Sequence, residues 1–185
     1  MKRVGFLVGL VVLVFGASIW AQTQAPKPDL ELKKFDVFLG HWAAEIEYKA
    51  GPLGPGGKSA GDYTVRKILG GFFFQNQWAE KSAAGEARGI EIIGYDPANK
   101  VFFSSEYHDD GSFGSGAYVS DGNAWSYSGK FVVAGKPYLW KMKGAFSPDL
   151  MSFTGKCDIS ADGKTWEPFD EFKFTKVVKA APKAK

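Results

Sequence analysis

Trp42-Ala43-Ala44-Glu45-Ile46-Glu47-Tyr48-Lys49 alternates residue by residue: Trp42, Ala44, Ile46 and Tyr48 fall on one face, Glu45, Glu47 and Lys49 on the other. A period of two with one apolar side marks a half-buried β-strand. The same period returns further along. Tyr138, Trp140 and Met142 oppose Leu139, Lys141 and Lys143, while Met151, Phe153 and Cys157 oppose Ser152, Thr154, Lys156 and Asp158. Phe172 and Phe174 share one side of the closing segment 169–177. Segments 63–69 and 72–79 form a hairpin around Gly70-Gly71, and 89–95 pairs with 101–107 through the turn Asp96-Pro97-Ala98-Asn99-Lys100. Asp110-Gly111, Asp121-Gly122 and Asp162-Gly163 add three more turn signals. Nine or ten short strands in sequential hairpins, with no long crossover, predict an all-β, antiparallel, up-and-down barrel.

One helix precedes the strands. Asp29 can cap it, Leu32, Phe35 and Phe38/Leu39 recur at helical spacing, and Gly40 ends it. Further upstream, Met1-Lys2-Arg3 is basic, residues 4–20 are almost wholly apolar, and Ala21 offers a small residue before the polar Gln22-Thr23-Gln24. That order is the pattern of a secretory signal peptide cleaved near Ala21; an uncleaved membrane anchor is the competing expectation. The expected organisation is a signal peptide over 1–21, a linker over 22–29, a barrel over 30–177 and a disordered basic tail over 178–185. Such a protein is exported to the periplasm or beyond, and meets the membrane only transiently through its signal peptide.

Cys157 is the single cysteine, so no internal disulfide forms and stability must come from the core. Removing Lys2 and Arg3 lowers the formal charge from +3 to about +1, which gives no electrostatic reason to expect nucleic acid as a partner. Sixteen Phe, six Trp and seven Tyr, with 23 Gly, suit strands, tight turns and an aromatic interior.

Gly40-His41-Trp42, where the helix meets the first strand, resembles the Gly-x-Trp opening of lipocalin-type (calycin) barrels. That resemblance implies a Trp plugging the closed end under a basic side chain from the last strand, with Lys173 and Lys176 as the candidates. A broader series occurs in a familiar order: Phe38-Leu39-Gly40-His41-Trp42, Gly54-Pro55-Gly56-Gly57, Val65-Arg66-Lys67-Ile68-Leu69-Gly70-Gly71, Gly89-Ile90-Glu91-Ile92-Ile93-Gly94-Tyr95-Asp96-Pro97 and Asp162-Gly163-Lys164-Thr165-Trp166. Over roughly residues 33 to 177 the chain is similar to the bacterial domain of unknown function (DUF) family 1579. The resemblance implies a lipocalin-like barrel and carries no activity with it.

Two histidines limit catalysis. His41 falls on the charged face of the first strand and reads as a solvated side chain. His108 lies in Glu106-Tyr107-His108-Asp109-Asp110-Gly111, where Glu106 and His108 share a strand face and Asp109 or Asp110 can turn toward them. Such a cluster suits a metal ion, haem or acid–base chemistry, yet a strand running into an Asp-Gly turn needs the same residues. Cys157 alternates inward and reads as an inert buried thiol. The sequence contains no phosphate-binding glycine loop before a helix, no Gly-x-Ser-x-Gly elbow and no Cys-x-x-Cys pair. No cofactor is expected, and the absence of a catalytic set points away from an enzyme.

A small barrel either fills with side chains or holds one small ligand. The inward candidates for a pocket are Trp42, Ile46, Tyr48, Phe74, Asn76, Trp78, Tyr107, Trp140, Met142, Phe153, Asp170 and Phe172, joined by Tyr63 and Phe174. Asn76 and Asp170 are the polar members, and each needs a partner, expected first within the protein and otherwise from the polar end of a ligand. The expected function is binding of a small apolar or amphipathic molecule. The alternatives are an enzyme or haem/metal barrel centred on His108 with Glu106 and Asp109, and an envelope interaction protein with a solid core.

Overall fold

A computed structural model describes residues 26–178. The expected signal peptide, the first half of the expected linker and residues 179–185 of the expected tail lie outside the described residues. Asp29 caps the leading helix, its carboxylate accepting from Glu31 N at 2.8 Å. The helix, Leu30–Phe38, is a 3-10 helix, in keeping with apolar side chains three residues apart at Leu32, Phe35 and Phe38.

Ten antiparallel strands follow: β1 (Gly40–Tyr48), β2 (Gly57–Ile68), β3 (Phe73–Ser82), β4 (Gly85–Asp96), β5 (Val101–His108), β6 (Phe113–Asp121), β7 (Ala124–Val133), β8 (Lys136–Phe146), β9 (Ser152–Ser160) and β10 (Glu167–Lys176). They stand in chain order, and β10 pairs with β1 to close the barrel. Closure leaves no edge strand to protect. Trp42 sits opposite Lys176 on one side and Tyr63 on the other. The β9–β10 ladder shifts register between Pro168 and Asp170. This bulge lets the consecutive residues Phe169 and Asp170 both line the interior, where strict alternation admits one.

The helix closes one end. Phe35 meets Phe74 at 5.0 Å, Phe102 at 5.5 Å and the edge of Trp125 at 5.4 Å, and Phe38 meets Phe146 at 4.9 Å and Phe153 at 5.4 Å. Trp42 is buried among them, its indole N–H donating to Phe38 O at 2.7 Å. Lys176 is the basic residue over that ring, its Nζ 5.0 Å from the centroid, whereas Lys173 faces out. The floor is therefore a solid aromatic plug, and the barrel is hollow above it.

Candidate functional site

The hollow half is a cavity of about 700 Å³ that opens at the end opposite the helix, between the β1–β2 and β3–β4 loops. Its volume falls within the range of small-molecule sites, and it rules out a fully solid core. Of the pocket candidates, Trp42, Ile46, Tyr48, Asn76, Trp78, Trp140, Met142, Phe153, Asp170 and Phe172 line it. Two candidates do not. Phe74 is wholly buried in the floor beneath the cavity, and Tyr107 points outward, 53% exposed. Tyr107 was misplaced because β5 turns its polar positions, Ser104, Glu106 and His108, inward.

Two polar centres stand in the wall. At the first, Glu80 accepts from Tyr48 at 2.8 Å, from Ser59 at 3.0 Å and from Tyr63. Both Tyr48 and Tyr63 are driven upward in pKa, first by burial and then by the negative charge of Glu80. Asp170 stands beside Tyr48 in register, buried, with Oδ1 unpartnered. Burial pushes its carboxyl up to about 7; Cys157 opposes the rise by hydrogen bonding and the charge of Glu80 adds to it. The Cys157 thiol is raised by burial and by Asp170, which leaves it protonated and inert, as the sequence predicted.

At the second centre, β4 and β5 set Glu91 directly opposite Glu106. Tyr118 donates to Glu91 at 2.7 Å, and Asn76 makes a long contact of 3.5 Å to the same carboxyl while its own Oδ1 is left unpartnered. Burial, then the neighbouring Glu106 charge, drives the Glu91 carboxyl well above its ordinary range. Glu106 in turn holds His108 Nε2 at 2.9 Å. The imidazole packs 4.8 Å from both Trp78 and Phe131. Gly89 makes the first of these contacts possible, since a Cβ there would strike the Trp78 ring.

The structure unites Glu106 and His108 but not the aspartates. Asp109 accepts from Arg88 N at 3.2 Å and Asp110 from Ser112 N at 2.8 Å, so both serve the turn. Glu106 occupies Nε2 of His108, and among the described residues no three His, Cys, Asp or Glu side chains form a group that could hold a metal ion. His41 is on the surface, bonded to Thr64 and Asp62. The sequence reading missed Glu80, Glu91, Tyr118 and Tyr127. Glu80 shares parity with Trp78 and was within reach of it. Glu91 was not, because Ile90 and Ile92 outweigh Ile93 on the opposite parity.

Known proteins agree with the architecture. The profile of the family described as "Protein of unknown function (DUF1579)" matches residues 27–137. The crystal structure of Rv2717c from M. tuberculosis is similar with a TM-score of 0.60 and 11% identity, covering 82% of this chain and 100% of that one, a likeness of fold alone. A de novo designed fluorescence-activating β-barrel is similar more loosely, with a TM-score of 0.40 and 12% identity over 77% of this chain and 95% of that one. No curated protein matches the sequence.

Proposed function

The chain belongs to the DUF1579 family, whose description assigns no activity, and we propose that it is an exported protein that binds one small amphipathic molecule inside the barrel. The observation that carries this reading is the cavity of about 700 Å³ above the aromatic floor, with buried polar atoms of Asn76 and Asp170 that have no protein partner. A buried carboxyl or amide oxygen left unpaired costs on the order of 1–3 kcal/mol. A molecule with an apolar body covers the Trp78, Trp140 and Phe172 surfaces, and its polar end recovers that cost once the Asn76 or Asp170 side chain turns toward it. The basic, apolar and small-residue order of residues 1–21 supports export.

Native mass spectrometry of the purified protein, with titration of the neutral apolar dye N-phenyl-1-naphthylamine, tests the binding. The expected result is a single saturable site per chain. A barrel that is empty as purified and shows no saturable dye site would overturn the reading. Cell fractionation is expected to find the protein outside the cytoplasm with its N-terminus at Gln22; a protein confined to the cytoplasm would overturn export, and an exported chain retaining Met1 would overturn cleavage.

A second reading is favoured by the His108–Glu106 pair, which faces the cavity at 2.9 Å beside the protonation-prone Glu91. It could move a proton on a bound molecule as general base or acid. His108→Gln should then stop turnover of the bound molecule without weakening its retention; unchanged turnover would remove this reading.

A further inference from the structure

Five carboxyl groups line the cavity, Glu80, Glu91, Glu106 and Asp170 from the wall and Asp110 from the turn after β5. Among the described residues, no lysine or arginine holds an inward strand position in the hollow half to balance them. The lysines that reach the cavity do so from elsewhere. Lys58 and Lys130 occupy outward strand positions near the mouth, and Lys49 is held outside by Glu47 at 3.1 Å and Glu171 at 3.7 Å. Charge inside a desolvated space must be paired or neutralised by protonation. In the empty barrel burial favours the protonated form of Glu91 and Asp170.

We propose that the bound molecule carries a cationic, amine-type head, seated between Asp170 and Glu106 with its apolar body on the aromatic walls, a proposal that rests on the binding reading above. Asp170 contributes the decisive feature, a side chain that lines the cavity with its carboxyl 6% exposed and its Oδ1 without a hydrogen-bond partner. Around it stand Tyr48, whose hydroxyl donates to Glu80 and not to Asp170, the Cys157 thiol from β9, and the carboxylates Asp158 and Glu171. Around Glu106 stand Glu91, His108 and the phenols of Tyr63, Tyr118 and Tyr127. The carboxyl groups are the charged side chains at inward strand positions, and the lysines stay at the mouth, so a buried anionic head meets repulsion and a cation meets attraction. The faces of Trp78, Phe131, Trp140 and Phe169, with Phe131 and Phe169 at 5.8 and 4.8 Å from Trp140, suit an ammonium group as well.

A cation entering beside Asp170 and Glu91 takes over the role of their protons. Binding should therefore release protons near neutral pH, and affinity should rise as pH climbs through about 7, where Asp170 ionises.

The test uses dodecyltrimethylammonium, dodecanoate and dodecanol below their micelle concentrations, which share one chain and differ in head charge, measured by calorimetry in buffers of different ionisation enthalpy. Wild-type protein at pH 8 should bind the cation at least tenfold more tightly than the carboxylate, lose that preference by pH 5, and release protons on binding the cation at pH 7. Asp170→Asn and Glu106→Gln should each shrink the preference severalfold; the wild-type pH profile decides the matter if either variant fails to fold. Equal binding of all three, or tighter dodecanoate through Lys49, Lys58 and Lys130 at the mouth, would overturn the cationic head while leaving the pocket standing. If none of the three binds, the pocket reading falls and the head assignment with it.

Discussion

In β8, β9, β10 and β1 the wall turns Met142, Phe153, Phe172 and Ile46 inward and Lys141, Lys143, Lys156, Lys173 and Glu45 outward, whereas the mouth half of β4, β5 and β6 does the reverse. There Glu91, Glu106 and His108 face the cavity, and Ile90, Tyr107 and Phe113, aligned across three strands, are exposed at 37, 53 and 50%. Apart from Asp170 in β10, the first wall follows the rule that stabilises a fold, apolar side chains removed from water. The second wall works against stability twice, by desolvating carboxyl groups and by leaving large apolar side chains wet. Only the mouth half is inverted; toward the floor the same strands return to Ile93 and Phe102, both buried. Stability given up so locally, around a cavity, is how binding sites are built into otherwise regular walls.

The sharpest way to break this comparison is Phe153→Ala in the conventional wall. Phe153 touches Phe38, Phe146 and Phe172. Its truncation should cost about 3–5 kcal/mol in denaturant unfolding; a loss below about 1 kcal/mol would mean that this wall is not tightly packed.

The next effect is the pH dependence of the empty barrel. Asp170 binds its proton more tightly folded, at about 7, than unfolded, near 3.8. The stability that this proton supplies is fully present below the unfolded value and is lost as pH rises through the folded one. Glu91 acts in the same direction. Unfolding free energy should fall between about pH 4 and pH 8, by at most about 4 kcal/mol from Asp170, and Asp170→Asn should flatten the profile. A stability that increases over that range would contradict the protonated interior.

Smaller again, Glu91→Gln keeps an acceptor for Tyr118 and removes a carboxyl that resists ionisation. It should stabilise the protein by about 1–2 kcal/mol at pH 8 and change little at pH 4, read from the same denaturation curves. Destabilisation at both pH values would mean that the carboxyl itself holds the wall together. The smallest effect belongs to the outer face: Phe113→Thr should shift stability by no more than about 0.5 kcal/mol and leave dye binding unchanged. A loss of several kcal/mol would show that the exposed row is structural.

These contrasts separate what could be read along the chain from what could not. Strands with one apolar parity, such as Trp42-Ala43-Ala44-Glu45-Ile46-Glu47-Tyr48, declare their buried face, because water penalises every misplaced apolar side chain in the same sense. Turn residues declare the hairpins, and sequential hairpins leave little choice beyond a closed up-and-down barrel. Trp42 under a basic residue of the last strand was legible too, down to Lys176 as one of two candidates. Where both parities carry apolar residues, as at Ile90, Ile92 and Ile93 around Glu91, local pattern assigns no face, and the neighbours across the barrel decide. Only the folded barrel sets Glu91 opposite Glu106, brings His108 to Glu106, and turns both Phe169 and Asp170 inward through a bulge. The cavity itself belongs to this second group. Its volume is the difference between the room that ten closed strands enclose and the side chains sent into it, a sum over the whole barrel that no single segment contains.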